Sequence, residues 1–108
     1  SRDHIASLDN TITTLLDKNN KPASLITQGN KLLKSCGSCI HAPEIRDIIG
    51  LLNQARSAYD SIVTMERSTK SSLTPLEILE HRTQLITTIE TLKKKLETIS
   101  SISSIPLQ

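Results

Sequence analysis

Apolar side chains recur along most of this chain at intervals of three and four residues, which places them on one face of an α-helix. The pattern begins with Ile5, Leu8, Ile12 and Leu15 and continues, with polar interruptions, as far as Ile99. No segment alternates between apolar and polar residues in the manner of a β-strand. The pattern therefore predicts an all-α protein.

Polar interruptions divide the pattern into four helices, which we predict at about 4–19, 22–36, 43–69 and 75–100, with 101–108 as a flexible tail or linker. An Asn-Asn pair and Pro22 lie between the first two helices, yet the spacing of three and four continues across them. Residues 1–36 therefore form either one kinked helix or two. The last helix has the clearest start signal, because Thr74 and Glu77 are spaced as a capping box.

Helices with one apolar face bury it by packing side by side. A chain of 108 residues is long enough for one modest core. Its core material is uniform, with 15 Leu and 14 Ile against one Tyr and no Phe or Trp. We therefore predict an antiparallel three- or four-helix bundle with left-handed, coiled-coil-like packing, built as a single domain over residues 1–100.

Charge and aromatic content bear on the class of partner. The 13 basic and 11 acidic residues are interspersed rather than clustered, which is typical of a solvated surface. A single aromatic residue offers no platform on which bases or sugars could stack. Both observations argue against nucleic acid as a partner, and no organic cofactor is indicated. No run of 18 apolar residues occurs, so we expect no membrane span.

The segment "CGSCIH" carries the most reactive side chains of the chain, Cys36, Cys39 and His41. A redox Cys-x-x-Cys pair normally follows a strand and begins a helix, whereas Cys36 ends one, where the helix dipole disfavours a thiolate. The spacing is not a common zinc-finger pattern, and no second cysteine pair exists. We interpret the segment as a turn between two helices with reduced thiols, which favours an intracellular protein, cytoplasmic or nuclear. A metal site at these three residues is the weaker alternative.

The runs "LITQGNKLLKS" and "APEIRDIIGLLNQARSAYDSIV" resemble the middle of a spectrin-type three-helix repeat. The likeness covers about 40 residues, and the positions that carry it are Gly29, Leu33, Glu44, Ile45, Leu52 and Tyr59. The tryptophan that is characteristic of the family has no counterpart here. The resemblance implies a non-catalytic spacer or docking module.

No Gly-rich phosphate loop and no zinc-protease motif occurs, and the carboxylates show no pairing suited to acid–base catalysis. Our leading hypothesis is a non-enzymatic protein-interaction or scaffold module, part of a larger protein or complex, that binds a protein partner or self-associates. The apolar residues that widen the helix faces are the predicted partner-binding positions: Ile49, Leu51, Leu79 and Ile86. The alternatives are a small lipid carrier with a cavity between its helices and a metal-dependent regulator that uses Cys36, Cys39 and His41.

Overall fold

A computed structural model describes residues 2–68 and 72–103 of the chain. It contains four α-helices: α1 (Arg2–Leu15), α2 (Leu25–Cys36), α3 (Ala42–Ser68) and α4 (Pro75–Ser103). No β-strand occurs within these two described segments. The prediction of an all-α protein is confirmed.

The four helices form a bundle around one continuous core. The two long helices α3 and α4 pack against each other, α2 packs mainly on α3, and α1 packs on α4. The core side chains are Ile12, Leu16, Leu25, Ile26, Leu32, Ile45, Ile48, Leu52, Ala55, Tyr59, Leu85, Ile89, Leu92, Leu96 and Ile99. Each fully buried Leu or Ile contributes about 1.5–3 kcal/mol relative to an exposed one, so these apolar faces supply the main driving force for folding.

The chain between α1 and α2 resolves the question of one kinked helix or two. The first helix ends at Leu15 rather than near residue 19, and the second begins at Leu25 rather than at Pro22, so there are two helices. Asn20 adopts a left-handed backbone conformation with φ of 57°, which interrupts any continuous helix. The predicted boundaries on both sides of this break were wrong.

Ser24 explains why α2 begins later than predicted. Its side-chain oxygen accepts hydrogen bonds from the backbone N–H groups of Ile26 and Thr27 at 3.2 and 3.4 Å, which is the geometry of a helix N-cap. The same hydroxyl donates to the carbonyl oxygen of Asp17 at 2.6 Å. Ser24 is buried and thereby joins the end of the interhelical loop to the start of α2.

The capping box at the start of α4 is confirmed. The backbone N–H of Thr74 donates to Glu77 Oε1 at 3.0 Å, and the N–H of Glu77 donates to Thr74 Oγ1 at 3.1 Å. The backbone hydrogen bond from Thr74 lowers the pKa of the Glu77 carboxyl. At its other end α4 continues to Ser103, so residues 101–103 are helical rather than part of a flexible tail. Residues 69 and 104–108 lie outside the described residues.

Threonines on α4 bond to the helix itself. The hydroxyl groups of five of them donate to the carbonyl oxygen four residues earlier, at 2.9–3.2 Å: Thr83, Thr87, Thr88, Thr91 and Thr98. All five side chains are exposed. Internal bonds of this kind satisfy the hydroxyl without a partner from another element.

The helices differ from membrane spans in composition. Among the described residues, no helix combines the length and the apolar character that crossing a bilayer requires.

Candidate functional site

The two long helices leave a shallow groove of about 360 Å³ between them on the molecular surface. Its lining consists of Leu51, Gln54, Ala55, Ala58, Leu85, Thr88 and Leu92, none of which is charged. Leu85, Leu92 and Ala55 are buried and form its floor. An uncharged strip of this kind, on two helices that lie side by side, is the type of surface that can bind another helix. We refer to it below as the α3–α4 groove.

Leu51 is the most exposed large apolar side chain of the α3–α4 groove. It retains 43% of its accessible surface, although its neighbours on the floor of the groove are buried. Thr88, on the α4 side of the groove, donates its hydroxyl to the carbonyl oxygen of Gln84 at 3.2 Å, so its polar group is already satisfied within its own helix. Covering Leu51 with a partner would bury apolar surface, which stabilises a complex by about 25 cal/mol for each Å² removed from water.

A charged section continues the groove at one end. A second cleft, of about 280 Å³, is lined by Glu44 of α3 and by Thr91, Lys94, Lys95 and Thr98 of α4. Glu44 lies seven residues before Leu51, and Lys95 lies seven residues after Thr88, so both extend the same helix faces. Within the described part of the chain neither lysine forms an ion pair.

A buried ionic cluster connects α1, α3 and α4 near the opposite end. Arg82 on α4 is only 4% exposed. Its Nε donates to Asp9 Oδ1 at 2.6 Å, and its Nη1 donates to Glu66 Oε2 at 2.8 Å. The hydroxyl of Tyr59 donates to the same Asp9 oxygen at 2.9 Å, and His81 Nδ1 lies 3.0 Å from Glu66 Oε2.

The pKa values of the cluster follow from burial and pairing. Burial alone would raise the pKa of Glu66, but hydrogen bonds from Arg82 and His81 outweigh it and lower the pKa. For Arg82 burial acts to lower the pKa, and hydrogen bonds to Glu66 and Asp9 raise it. Burial, followed by the hydrogen bond to Asp9, raises the pKa of Tyr59 to about 12. Arg82 and Glu66 therefore stabilise each other's charged forms, and the hydrogen bonds of the cluster tie three helices together.

The sequence analysis missed Arg82, although a signal for it exists. The apolar face of the last helix steps from Ile78 to Leu85, an interval of seven that lacks its intermediate member. Arg82 occupies that intermediate position, four residues after Ile78 and three before Leu85. A basic residue within an apolar helix face indicates a buried charge that requires acidic partners.

The structure distributes the predicted partner-binding residues over different surroundings. Leu51 lies in the α3–α4 groove, whereas Ile49 is partly buried and faces α2 at Gly29. Ile86 is partly buried against the core, and Leu79 is also partly buried. Leu51 is thus the member of the four with the most surface open to a partner.

The segment "CGSC" forms the turn between α2 and α3, and Gly37 ends α2 with φ of 62°. The expectation of reduced thiols was wrong, because Cys36 and Cys39 form a disulfide. The turn brings their Cα atoms to 5.2 Å, aided by a hydrogen bond from Cys39 N–H to the Cys36 carbonyl at 3.1 Å. Ile40, the next residue, is 88% exposed.

The disulfide also bears on the candidate metal ligands Cys36, Cys39 and His41. Zinc binds cysteine as a thiolate, and sulfur atoms that are bonded to each other are not in that form. Among the described residues, no group of three or more His, Cys, Asp or Glu side chains is arranged to hold a metal ion.

Comparison with known proteins identifies no relative of this chain. The chain matches no protein-family model, and neither a curated protein nor a solved structure is significantly similar to it.

Proposed function

We propose that this protein is a non-enzymatic helical module for protein interaction or scaffolding, part of a larger protein or complex, and that it binds its partner through the α3–α4 groove. The observation that carries the proposal is Leu51, 43% exposed at one end of an uncharged strip shared by the two longest helices. The buried cores of protein interfaces are depleted of charged residues relative to the rest of the surface, and this strip has that composition.

We further propose that the helices are antiparallel neighbours with left-handed packing. Two levels of the bundle support this arrangement. At one level Asp9 bonds to both Tyr59 of α3 and Arg82 of α4. At the other, Gly29 lies beside Ile49 of α3 and Leu96 of α4. Between these levels residue numbers fall along α3 and rise along α4, as they do in an antiparallel pair.

The resemblance to a spectrin-type repeat is compatible with this arrangement, with α1 and α2 as two pieces of one leading helix. Spectrin-type repeats serve as spacers and docking modules, which is the class of function that we propose. The non-enzymatic part of the proposal is supported by the ionic cluster. Its carboxylates are already engaged by Arg82, Tyr59 and His81, as expected of charges that fix a fold.

The lipid-carrier alternative has less support. The cleft of about 510 Å³ beside the ionic cluster is lined by Asp9, Tyr59, Val63, Glu66, Arg67 and Arg82. Four of these six side chains are charged, and an acyl chain would have to displace their water without replacing its hydrogen bonds.

The substitution Leu51→Glu tests the proposed function. A charge within the α3–α4 groove should weaken partner binding at least tenfold, about 1.4 kcal/mol, whereas stability should change by about 0.5 kcal/mol or less at so exposed a position. The measurement is crosslinking in the native host from a photoreactive amino acid at Gln54, on the rim of the groove. Circular dichroism checks that the fold persists.

Ile40→Glu is the matched control, since Ile40 is exposed at the α2–α3 turn and lies outside the groove. Crosslinks from position 54 should persist in this variant and disappear in Leu51→Glu. Equal crosslinking in both variants, with the fold intact, would show that the groove is not the partner-binding surface.

A further inference from the structure

We propose that the occupant of the α3–α4 groove is the same groove of a second copy of this chain, an inference that rests on the proposed function. In this arrangement the two grooves face each other about a two-fold axis parallel to the long helices. Helix α3 of each copy then lies beside α4 of the other copy, and the four long helices form a common bundle.

The distribution of charge along the groove supports this arrangement. Glu44 and the two lysines Lys94 and Lys95 line one cleft, so they lie at the same level of the bundle on different helices. Rotation about an axis parallel to the helices keeps every residue at its level and places α3 against α4 of the second copy. Glu44 of each copy then faces Lys94 and Lys95 of the other, which gives two symmetric clusters of opposite charge.

The uncharged section of the groove is compatible with the same axis. Leu51 and Ala58 of one copy come to the levels of Leu92 and Leu85 of the other, so that apolar and small side chains meet along this section. An axis perpendicular to the helices would instead carry the Lys94–Lys95 end of one copy to the far end of the other, away from Glu44. The charges therefore select the parallel axis.

The available surface is large enough for a stable pair. Helix α3 has 27 residues, which corresponds to about 40 Å at 1.5 Å per residue. The molecule is 21 Å across its second principal axis. A face of these dimensions offers on the order of 800 Å² per copy, which is the area that a standard interface buries on each partner.

Charge-reversal variants test the inference. Glu44→Lys alone should weaken self-association at least tenfold, and so should the double substitution Lys94→Glu with Lys95→Glu, because each places like charges opposite each other. An equimolar mixture of the two variants should restore association, since every reversed residue then faces a reversed partner. Sedimentation equilibrium and static light scattering measure the mass of each sample and of the mixture.

The double substitution Lys31→Glu with Lys34→Glu is the matched control, because it makes the same change of charge on exposed positions of α2. It should leave the dissociation constant unchanged. Restored association in the mixture supports the inference, and loss of association with no rescue overturns it. Rescue cannot be explained by misfolding of either variant, since each would remain misfolded in the mixture.

A monomeric wild-type protein would also overturn the inference. If position 54 then crosslinks to a different protein, and Leu51→Glu abolishes the crosslink, the proposed function stands without the second copy. Both proposals fail if the wild type is monomeric and position 54 gives either no crosslink or a crosslink that persists in Leu51→Glu.

Discussion

Arg82 lies on the apolar face of α4, where an apolar residue would be expected. Ion pairs with the carboxylates of Asp9 and Glu66 offset the cost of burying its charge. Asp9 and Glu66 approach its guanidinium from different helices, and Tyr59 and His81 complete the hydrogen bonds of those carboxylates. Breaking such a buried pair by removing one partner typically costs about 3–5 kcal/mol, because the remaining charge is left uncompensated. The cluster therefore fixes how α1 sits on α3 and α4.

Tyr59 offers a direct spectroscopic measurement of this cluster, because it is the single Tyr of a chain without Trp. The near-ultraviolet absorbance of tyrosinate should appear with a midpoint near pH 12, the raised pKa of this hydroxyl. Asp9→Asn replaces the charged carboxylate acceptor by a neutral amide oxygen, so the midpoint should fall towards the ordinary value of 10.0. Since the folded pKa is raised, stability should decrease as the pH rises from 10 through 12. An unchanged midpoint in Asp9→Asn would contradict the hydrogen bond to Asp9.

At the scale of the helices, the number and approximate positions of the elements were predictable from spacing alone, but the boundaries at the α1–α2 break and at the end of α4 were not. Pro22 is acceptable in a first helical turn and Ser24 is a favoured N-cap residue, so the local sequence permits either start of α2. The difference is made by the carbonyl of Asp17, seven residues before Ser24, which accepts from the buried cap. The hydrogen bond between Ser24 and Asp17 depends on the path of the loop between α1 and α2. The spacing of apolar residues carries no information about that path.

Two glycines within helices test the packing of α2 on α3. A methyl group on Gly29 would lie 2.9 Å from Ile49 Cγ1, whereas one on Gly50 would meet no atom within 4 Å. Gly50→Ala should therefore stabilise the fold by about 1 kcal/mol through helix propensity. Gly29→Ala makes the same gain but overpacks the interface at a cost of about 1–3 kcal/mol, so we expect no gain or a net loss.

Urea denaturation in the Leu51→Glu background measures both glycine variants without a contribution from association. Equal stabilisation by the two substitutions would mean that α2 does not approach α3 as closely as Gly29 and Ile49 indicate.

At the scale of the whole molecule, the helical bundle was predictable from the sequence because nearly all of its core is Leu and Ile on helical spacing. The sequence analysis did not predict the state of the cysteines. Two thiols separated by two residues can form a disulfide only if the turn between them brings them close together. The path of this turn depends on Gly37 and on the directions in which α2 enters it and α3 leaves it. The disulfide is compatible with an oxidising compartment, whereas the expectation of an intracellular location rested on reduced thiols.

The Cys36–Cys39 disulfide should contribute modestly to global stability. Closing so short a loop restricts the unfolded chain by an amount worth about 2 kcal/mol. Replacing both cysteines by alanine should lower the free energy of unfolding by about that amount, and dithiothreitol should produce a similar loss in the wild type. The alanine variant, which has no disulfide, should not respond to the reductant. A wild type that is equally stable with and without dithiothreitol would contradict the prediction.

The threonine hydroxyls of α4 turn inward to their own backbone, and this changes what the helix presents to its surroundings. Composition alone would describe that side as hydrophilic, since 26 of the 108 residues are Ser or Thr. Each of the five hydroxyls already donates to a carbonyl oxygen of its own helix, so these exposed side chains are less polar towards a partner than their composition suggests. The exposed threonines of α4 therefore form a less polar surface than a hydropathy scale indicates. Such a surface associates with another protein more readily than its Ser and Thr content suggests.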